Sequence, residues 1–512
     1  MPPRPIRILL ALIVLSMFAL AASAFSQPGG NARMKVLGTT ISKPGQIEIE
    51  GDASHAYVIL IAARLQDWTF KGTTINVPPD FLAITSGLPG FVGTLDGSGQ
   101  AQASYIIPNN TAWDDLVLYG QTITLAASGH IAAVSEVSVL PLNLQGTFIA
   151  TGSLLRDRAL HTATPLDDGC RVLIIGGGSG NLSGAVSLSS MELYDFASQS
   201  YASAGSLRRA RAIHTSTALD DGRVLVVGGI DTAWNVDATC EIVDPTSGFS
   251  SSFTGTMSRA RTGHVAAKLT DGRVVALGGT NTFSSIGTLI QGITGQGEVF
   301  DKATGSWTSG PTLSEPRFAH TITRLTDGRF LVAGGMSWVS VAGVPIPVIS
   351  NTADLLDPVT MSITAAGNLH TARLAHRTAL MPDGRVLVVG GAGGDAYNPA
   401  AITDCEIFDP VANSFQVTGS LIGASAYAKP VEISGGRFLV AGGVQGAIFN
   451  PSAQPIAQVF DPVTGAWTQT IGALQTGRGF HTSVRLPDGS VLLTGGGDTS
   501  LNTTLASERY TE

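Results

Sequence analysis

The chain has 512 residues, of which 44% are hydrophobic, only 13% are charged and 62 are glycine. Charged residues make up about a quarter of an average globular protein, so this composition excludes a disordered, charge-rich chain and a coiled coil. The formal net charge is −8 and no basic run occurs, which removes the electrostatic basis for binding nucleic acid. With three cysteines, Cys170, Cys240 and Cys405, disulfides are not the main stabiliser, and we expect three free thiols.

The N-terminus has the pattern of a secretory signal. Arg4 and Arg7 precede an apolar run over residues 8–22, and the small residues 22–24 follow it as a cleavage site. The run is about fifteen residues, shorter than the roughly 20 needed to span a bilayer, so a membrane anchor is the weaker alternative. We expect a signal peptide over residues 1–24 and a secreted or extracytoplasmic protein without a membrane span after cleavage.

Residues 25–145 contain alternating polar and apolar stretches separated by Gly and Pro, such as Gln46 to Glu50 and Ala101 to Ile107. This alternation is typical of antiparallel strands with one buried face, and helical periodicity is absent from the sequence. The segment therefore predicts a small antiparallel β-sandwich domain. Its stretches Thr94 to Gly99 and Leu118 to Gln121 resemble a small β domain of secreted bacterial proteins, and this resemblance implies nothing about chemistry.

From residue 146 onward the chain repeats one unit seven times, at spacings near 53 residues. The unit reads Arg-x-x-His, then Asp-Gly-Arg-Val-Leu-Val-x-Gly-Gly, then Glu-x-x-Asp-Pro and an aromatic residue. The glycine pairs begin at Gly176, Gly228, Gly278, Gly334, Gly390, Gly442 and Gly495. Each unit contains four short strand-like stretches, and the Asp-Gly pair between the first two is a hairpin signal. One such sheet cannot bury both faces alone, so seven of them predict a β-propeller.

The double glycine and the aromatic residue at a fixed distance after it resemble the marks of the kelch repeat family. The resemblance covers residues 146–512 and implies a propeller like the central domain of galactose oxidases. The family's usual Tyr before the Asp-Pro turn is Phe408 or Phe460 here, and Tyr194 only in the first unit. We therefore predict an all-β chain, with a seven-bladed kelch-type β-propeller over residues 146–512 preceded by a small antiparallel β-sandwich over residues 25–145.

The strand that closes the ring is also readable. Phe148 stands 13 residues before His161, the interval that separates Trp307 from His320, so a fourth-strand sequence precedes the first unit. The last unit has no fourth strand of its own. We expect residues 147–150 to complete the seventh blade and to join the two ends of the array.

The repeats also indicate which polar residues are structural. Six units carry an Arg, a His and an acid at fixed positions, and the sixth unit has lost all three together. In the fourth unit Asp354 replaces the usual Glu opposite Arg317, which predicts a buried ion pair inside each blade. Arg373 with Glu406 is the corresponding pair of the fifth unit. The six His are expected to be hydrogen-bonded structural residues, because sevenfold spacing keeps them too far apart for one metal ion.

The number of residues between the second glycine of the pair and the acid varies from unit to unit. The loops in this interval are unusually apolar. In a kelch-like blade these loops join the second and third strands and share one face of the ring, where binding commonly occurs. The candidate ligand-binding residues on this face are Asp231, Trp234, Phe283, Trp338, Asp395 and Phe449. Packing of the loops on one another or on the sandwich domain is the alternative, and the sequence leaves both open.

The motifs favour binding over catalysis, with no metal or cofactor predicted. Neither Gly-x-Ser-x-Gly nor His-Glu-x-x-His occurs, and none of the eight Tyr is followed by His, the pair that copper radical oxidases of the galactose oxidase type need. The acids that a propeller glycosidase could use, each also suited to a turn, are Asp231, Asp237, Asp395 and Asp498. We predict a secreted, monomeric, bacterial binding module for a protein or a glycan. The alternative is a carbohydrate-active enzyme, a glycosidase or a galactose-oxidase-like oxidase.

Cleavage after Ala24 predicts that the secreted protein begins at Phe25. N-terminal sequencing of protein exported by a bacterial host measures this terminus. Ala24→Trp removes the small side chain that precedes the cleaved bond, so processing should fall sharply. Ala32→Trp lies beyond the site and is the control, with processing unchanged. Exported protein that still carries Met1 would contradict the assignment.

Overall fold

The structure is a computed structural model that describes residues 146–512, apart from positions 168, 183 and 449, and the backbone of ten strands before residue 146. In this part of the chain the regular structure is almost entirely β-strand. The exceptions are a short helix, α1 (Ile286–Gly292), and two 3-10 turns, Pro245–Ser247 and Ser434–Gly436. None of the helices described here is long and apolar enough to cross a membrane.

The ten strands before residue 146 pair into antiparallel sheets. They are β1 (Arg33–Leu37), β2 (Pro44–Glu50), β3 (Ala56–Ala62), β4 (Trp68–Phe70), β5 (Thr73–Ile75), β6 (Val92–Thr94), β7 (Gln100–Ile106), β8 (Val117–Leu125), β9 (Ile131–Val134) and β10 (Ser138–Pro141). One sheet has the order β1-β2-β7, another has the order β10-β8-β3-β6 with β9 also on β8, and β4 pairs with β5. The packing of these sheets as a sandwich and the signal peptide of residues 1–24 lie outside the described residues.

Seven four-stranded antiparallel sheets follow one another along the chain and form the blades of a seven-bladed β-propeller, which confirms the fold predicted from the repeat. Blade 1 contains β12 (Thr162–Pro165), β13 (Arg171–Ile175), β16 (Ser190–Asp195) and β17 (Ser200–Ser206); blade 2 contains β18 (Thr215–Ala218), β19 (Val224–Val227), β20 (Cys240–Asp244) and β21 (Ser250–Thr254); blade 3 contains β22 (Val265–Lys268), β23 (Val274–Leu277), β24 (Gln296–Asp301) and β25 (Ser306–Thr312). Blade 4 contains β26 (Thr321–Arg324), β27 (Phe330–Ala333), β30 (Ala353–Leu356) and β31 (Ile363–Ala365); blade 5 contains β32 (Arg377–Leu380), β33 (Val386–Val389), β36 (Cys405–Asp409) and β37 (Ser414–Val417). Blade 6 contains β38 (Val431–Glu432), β39 (Phe438–Ala441), β42 (Ala457–Asp461) and β43 (Ala466–Gln469); blade 7 contains β44 (Thr482–Arg485), β45 (Val491–Thr494), β46 (Ser507–Thr511) and β11 (Thr147–Ala150).

Four blades extend the connection between their second and third strands into a short two-stranded hairpin. These hairpins are β14 (Gly178–Ser179) with β15 (Val186–Ser187), β28 (Met336–Val341) with β29 (Val344–Ile349), β34 (Ala392–Gly393) with β35 (Ala400–Ala401), and β40 (Val444–Gln445) with β41 (Ser452–Ala453). In blade 3 the helix α1 occupies the same connection. The variable interval of the repeat is therefore used to build local structure at one end of the blades.

The second strand of a blade is buried on both faces. All four side chains of Val386–Val389 are buried, and all four are aliphatic. Such a strand packs against two neighbouring blades at once, so its sequence lacks the alternation of a strand with one wet face. Val388 packs with Leu331 of blade 4, and Leu387 packs with Val440 of blade 6. The apolar cores of the propeller thus lie between blades.

The strand β11 completes the last blade as its outer strand, beside β46. The ring centroids of Phe148 and Tyr510 lie 5.2 Å apart, and both rings are buried in the core between blades 6 and 7. The Thr151 amide donates to the Ser507 carbonyl oxygen at 3.0 Å. These contacts confirm the closure predicted from sequence spacing, and they join the first and last strands of the array in one sheet.

A buried arginine holds together three segments in each of six blades. In blade 5, Arg373 Nη2 donates to Glu406 Oε1 at 2.7 Å, and Arg373 Nη1 donates to the Gly390 carbonyl at 2.8 Å. The Glu406 carboxylate also accepts the His370 amide at 2.8 Å. The equivalent pairs are Arg158 with Glu192, Arg211 with Glu241, Arg261 with Glu298, Arg317 with Asp354 and Arg478 with Glu508. These additional hydrogen bonds satisfy many of the donors and acceptors of the buried pairs. Among the described residues, the Nε atoms of Arg211, Arg261, Arg317 and Arg478 and the Oδ1 atom of Asp354 have no partner.

Blade 4 adjusts to its shorter acid. Arg317 Nη2 lies 3.3 Å from Asp354 Oδ2, farther than the 2.7 Å of the glutamate pair in blade 5. A second carboxylate, Glu315, lies 3.0 Å from Arg317 Nη1. The guanidinium therefore contacts two acids, as Arg211 does in blade 2, and the second acid compensates for the missing methylene of aspartate.

Blade 6 lacks the arginine, the histidine and the acid, and neutral side chains take over their hydrogen bonds. Ser425 Oγ donates to the Gly442 carbonyl at 2.9 Å, the bond that the arginine forms elsewhere. Gln454 Nε2 donates to the same carbonyl at 3.2 Å. Gln458 Oε1 accepts the Ile422 amide at 2.7 Å, as the glutamate does in other blades. Both charges are absent together because either one alone would be buried without a partner.

Arg373→Ser leaves Glu406 as an uncompensated buried charge, so we expect the free energy of unfolding to fall by about 3–5 kcal/mol. Transferring the neutral set of blade 6 into blade 5, as R373S, I402Q and E406Q together, should recover more than half of that loss, because Ile402 occupies the place of Gln454. Urea unfolding followed by tryptophan fluorescence measures both variants. A triple variant no more stable than Arg373→Ser would contradict this account of blade 6.

Candidate functional site

The connections between the second and third strands leave all seven blades at one end, which we call the loop face. Each begins at a glycine pair, and the first glycine has a positive φ, 61° at Gly228. A Cβ atom at Gly228 would stand 2.4 Å from the carbonyl oxygen of Arg261 in the next blade, so only glycine fits. The Gly229 amide donates to that same carbonyl at 3.0 Å. The glycine pair thus holds the start of each loop against the neighbouring blade.

The histidines join neighbouring blades at the same end. His214 Nε2 lies 3.1 Å from the Thr162 hydroxyl of the preceding blade. The same contact joins His161 to Thr482, His264 to Thr215 and His376 to Thr321. Burial, together with the positive charge of Arg211, lowers the pKa of His214 to about 3. These four rings are neutral hydrogen-bonding groups, as the repeat led us to expect, whereas the ring nitrogens of His320 and His481 have no hydrogen-bond partner among the described residues.

A ring of residues surrounds the propeller axis at the loop face, and we call it the axial collar. It consists of the residue before each histidine position, Leu160, Ile213, Gly263, Ala319, Ala375, Tyr427 and Phe480, all with a positive φ. The Ala375 amide donates to the Ala319 carbonyl at 2.8 Å, and the Tyr427 amide donates to the Ala375 carbonyl at 2.9 Å. Six of the seven are not glycine, so the packing around them must offset the cost of this backbone conformation.

The loop aromatics among the predicted binding residues pack on one another. Trp234 and Phe283 stack with their planes 1° apart and their centroids 5.8 Å apart, and Phe283 lies 6.0 Å from the buried Phe318. Trp338 and Phe283 are half-buried against the apolar cluster that contains Phe318. Phe449 lies outside the described residues. These contacts bring together the loops of blades 2, 3 and 4, as the loop-packing alternative expects.

Asp231 begins a tight five-residue loop in blade 2. Its Oδ1 atom accepts the amides of Ala233 at 2.8 Å and Asn235 at 2.9 Å. In blade 7, Asp498 accepts the amides two and four residues further along in the same way. The shared sequence Asp-Thr-x-x-Asn therefore builds the same turn twice. Asp395, which is exposed, accepts the amide two residues on at 3.0 Å, so all three acids act in turns.

Two acids of the blade 2 connection border a cavity of about 370 Å³. Asp231 and Asp237 line it together with Arg209 and Asn235. Asp237 lies 3.4 Å from Arg209 Nη1 and 3.7 Å from Nη2 of the buried Arg211. Burial acts to raise the pKa of Asp231, but hydrogen bonds from Asn235 outweigh it, and the pKa is lowered. A general acid needs the opposite shift, so this carboxyl is suited to a turn or to ligand binding.

The hairpin β28–β29 of blade 4 presents an aliphatic face to solvent. Val339, Val341 and Val344 are 47%, 57% and 55% exposed. Val341 pairs with Val344 and Val339 pairs with Ile346, so these side chains lie on one face of the hairpin. In the blade 5 loop Tyr397 is 55% exposed. Clustered apolar side chains at a solvent-exposed tip are typical of an interaction surface.

Two cations beside the axial collar, Arg377 and Lys429, are absent from the candidates that the sequence patterns suggest. Each directly follows the histidine position of its blade, where four other blades have Thr. The two residues become visible when the seven units are aligned and the position directly after the histidine is compared. Sequence periodicity draws attention to what units share, whereas these two residues differ from the shared pattern.

Comparison with known proteins gives likeness at the level of fold. No protein-family model matches the chain, and no curated protein sequence matches it. A fungal alcohol oxidase of the AA5 family, solved in complex with copper, is 17% identical with a TM-score of 0.55, covering 72% of this chain and 76% of that one. The protein YjhT is 14% identical with a TM-score of 0.45, covering 62% of this chain and 99% of that one. At such identities the likeness to the oxidase shows a shared propeller fold alone.

The side chains described by the structure do not fit a copper centre like the one that the oxidase's fold implies. Within that part of the chain, no three His, Cys, Asp or Glu side chains are placed to hold a metal ion. Cys240 and Cys405 are buried in different blades, and burial raises their pKa to about 12 and about 11. The Tyr201 hydroxyl lies within hydrogen-bond distance of the Thr494 and Ser507 hydroxyls, at 2.9 and 2.8 Å. These potential ligands are committed to packing or hydrogen bonds.

The buried imidazoles predict a stability that depends on pH. The pKa of His214, His320 and His481 is about 3 in the folded protein and about 6.5 in an unfolded chain, so the unfolded chain binds more protons between these values. Stability is therefore full above pH 6.5 and falls as pH is lowered toward 3. Urea midpoints should decrease from pH 7.5 to 6.0 to 5.0, and less steeply in His214→Gln. Equal slopes for the variant and the wild type would contradict a neutral His214.

Proposed function

We propose that this chain is a secreted bacterial protein whose kelch-type propeller binds a protein or a glycan through its loop face. The exposed aliphatic face of the blade 4 hairpin, formed by Val339, Val341 and Val344, is the observation that carries the proposal. Covering these valines with a partner removes apolar area from water, which favours binding. The blade scaffold supports the proposal because it presents the hairpin on a rigid ring.

We propose the domain organisation that accompanies this function. Residues 1–24 are the signal peptide, residues 25–145 are a β-sandwich, and residues 146–512 are the propeller of a monomeric protein. The antiparallel sheets before residue 146 support the sandwich, because a three-stranded and a five-stranded sheet can each cover one apolar face of the other.

The loop face offers two kinds of contact. Val339, Val341 and Val344 suit an apolar patch on a protein. Tyr397, with Asp395 two residues before it, suits a sugar ring, which stacks on an aromatic face and donates its hydroxyls to a carboxylate. The first contact lies in blade 4 and the second in blade 5, so separate variants distinguish a protein partner from a glycan.

Val341→Asp places a charge on the aliphatic face, so we expect the affinity for a protein partner to fall at least tenfold. The partner is found by screening the secreted protein against glycan and bacterial surface-protein arrays, and its affinity is measured by biolayer interferometry. Tyr397→Ala should weaken a glycan partner instead. The control is Val411→Asp, which changes a 95% exposed valine at the opposite end of blade 5 and should leave binding unchanged.

Binding that survives Val341→Asp, Tyr397→Ala, Trp338→Ala and Trp234→Ala would reject the loop face. The cavity lined by Asp231 and Asp237 favours a second function, that of a carbohydrate-active enzyme. Hydrolysis of aryl glycosides that is lost in Asp237→Asn and retained in Asp395→Asn would replace the binding proposal with that one.

A further inference from the structure

The propeller departs from its own repeat at three inner positions of blades 5 and 6. The residue after the histidine is Thr in blades 1, 2, 4 and 7 and Val in blade 3, but Arg377 in blade 5 and Lys429 in blade 6. Directly before Lys429, Ala428 replaces the blade 6 histidine. In the consensus, the threonine hydroxyl bonds the histidine of the next blade, so these three changes remove the neutral contact and introduce two positive charges.

Neither Arg377 nor Lys429 has an acidic partner among the residues that the structure describes. Lys268, on the inner strand of blade 3, is by contrast paired with Asp220 at 2.5 Å. Arg377 donates one hydrogen bond, from Nη1 to the His376 carbonyl at 3.1 Å. A guanidinium has five N–H donors and an ammonium has three, so most donors of both groups are available to a ligand.

The surroundings of the two cations are half-buried and aromatic. The Arg377 guanidinium carbon lies 5.3 Å from the ring centroid of Tyr427, and that ring lies 4.9 Å from Phe480. Burial lowers the pKa of Arg377 and of Lys429, and the charge of Arg377 lowers the pKa of Lys429 further, which indicates that the two groups are close. Arg377 is half-buried, whereas Lys429 is exposed and can be reached by a ligand from solvent.

Uncharged polar groups without partners lie at the same place. The Tyr427 hydroxyl forms no hydrogen bond with another residue that the structure describes. His481, at the position that faces Lys429 across the blade boundary, is only 8% exposed, and both of its ring nitrogens are buried without a hydrogen-bond partner. A ligand that forms a hydrogen bond with such a buried, unpaired atom removes the cost of leaving that atom without a partner.

We propose that Arg377, Lys429 and the Tyr427 hydroxyl form a binding site for a compact oxyanion, a carboxylate or a phosphate group, at the axial collar between blades 5 and 6. Two neighbouring cations without counter-charges repel each other, and an anion between them removes that repulsion. Arg377 offers a planar fork of donors, and Lys429 adds a point charge. The aromatic rings of Tyr427 and Phe480 limit access of water, which strengthens the charge interaction.

The site differs from the proposed surface of the blade 4 hairpin and does not depend on it. It uses the inner strands of the ring, whereas the hairpin projects from the loop face. The two can act together, with the apolar hairpin contacting the body of a ligand or partner and the cations contacting its anionic group. Val341→Asp should therefore leave anion binding unchanged, so failure of one proposal is distinguishable from failure of the other.

Isothermal titration calorimetry of the purified protein with sodium phosphate and, separately, sodium acetate tests the proposal, at one ionic strength held with sodium chloride. Arg377→Thr and Lys429→Thr restore the residue that four other blades carry, so both variants retain a side chain that the fold accepts. We expect each to weaken phosphate binding at least tenfold. Lys268→Thr removes one cation that is already paired and should leave the affinity unchanged. Tighter binding of phosphate than of acetate assigns a phosphate group, and the reverse assigns a carboxylate.

A second measurement keeps the test decisive if Arg377→Thr does not fold. Limited acetylation with mass spectrometry gives the reaction rate of Lys429 relative to Lys268. Phosphate or acetate should slow acetylation of Lys429 several-fold and leave that of Lys268 unchanged. Absence of protection at Lys429, or equal anion affinity in wild type and Lys429→Thr, would overturn the proposal.

Discussion

In six of the seven blades, a buried arginine acts in two blades at once, and the arrangement of the ring depends on this. Inside its own blade, the Arg261 guanidinium bonds Glu298 and the Gly278 carbonyl. Its backbone carbonyl accepts the Gly229 amide of the preceding blade. The side chain and the backbone of Arg261 therefore couple the ion pair of its own blade to the loop of the preceding blade. A loop that begins at such a coupled glycine pair has a defined starting position, which is what a binding surface requires.

The same coupling explains why departures from the repeat are informative. Six blades keep the charged pair, and blade 6 keeps the hydrogen bonds with Ser425 and Gln458 instead. That blade also has Ala428 in place of the histidine, and Ala428 is buried in an apolar cluster. Lys429 directly follows Ala428, and Arg377 lies in the neighbouring blade 5. Blade 6 does not need the recurring charged residues for its structure. In blades 5 and 6, Arg377 and Lys429 carry charges that form no ion pair among the described residues.

Much of the fold could be predicted because its main features are encoded by the intervals at which residues recur along the chain. The propeller, the closing strand at Phe148 and the pairing of Arg373 with Glu406 all follow from residues that recur at constant intervals. The acids in the loops were harder to interpret, since Asp231 suits a turn and a catalytic site equally well in sequence. The structure assigns it to a turn through its bonds to backbone amides, and the matching Asp498 shows that this turn is itself repeated.

By itself, the sequence determined the number of blades, the order of strands within each one and the residues that must be buried as pairs, because these are properties of a unit that is repeated along the chain. Only the tertiary structure decided which residues meet between units. The stacking of Trp234 on Phe283 and the grouping of Arg377 with Tyr427 and Lys429 join residues from different blades. Their meeting depends on the angle and distance between neighbouring sheets, and no interval along the chain encodes either quantity.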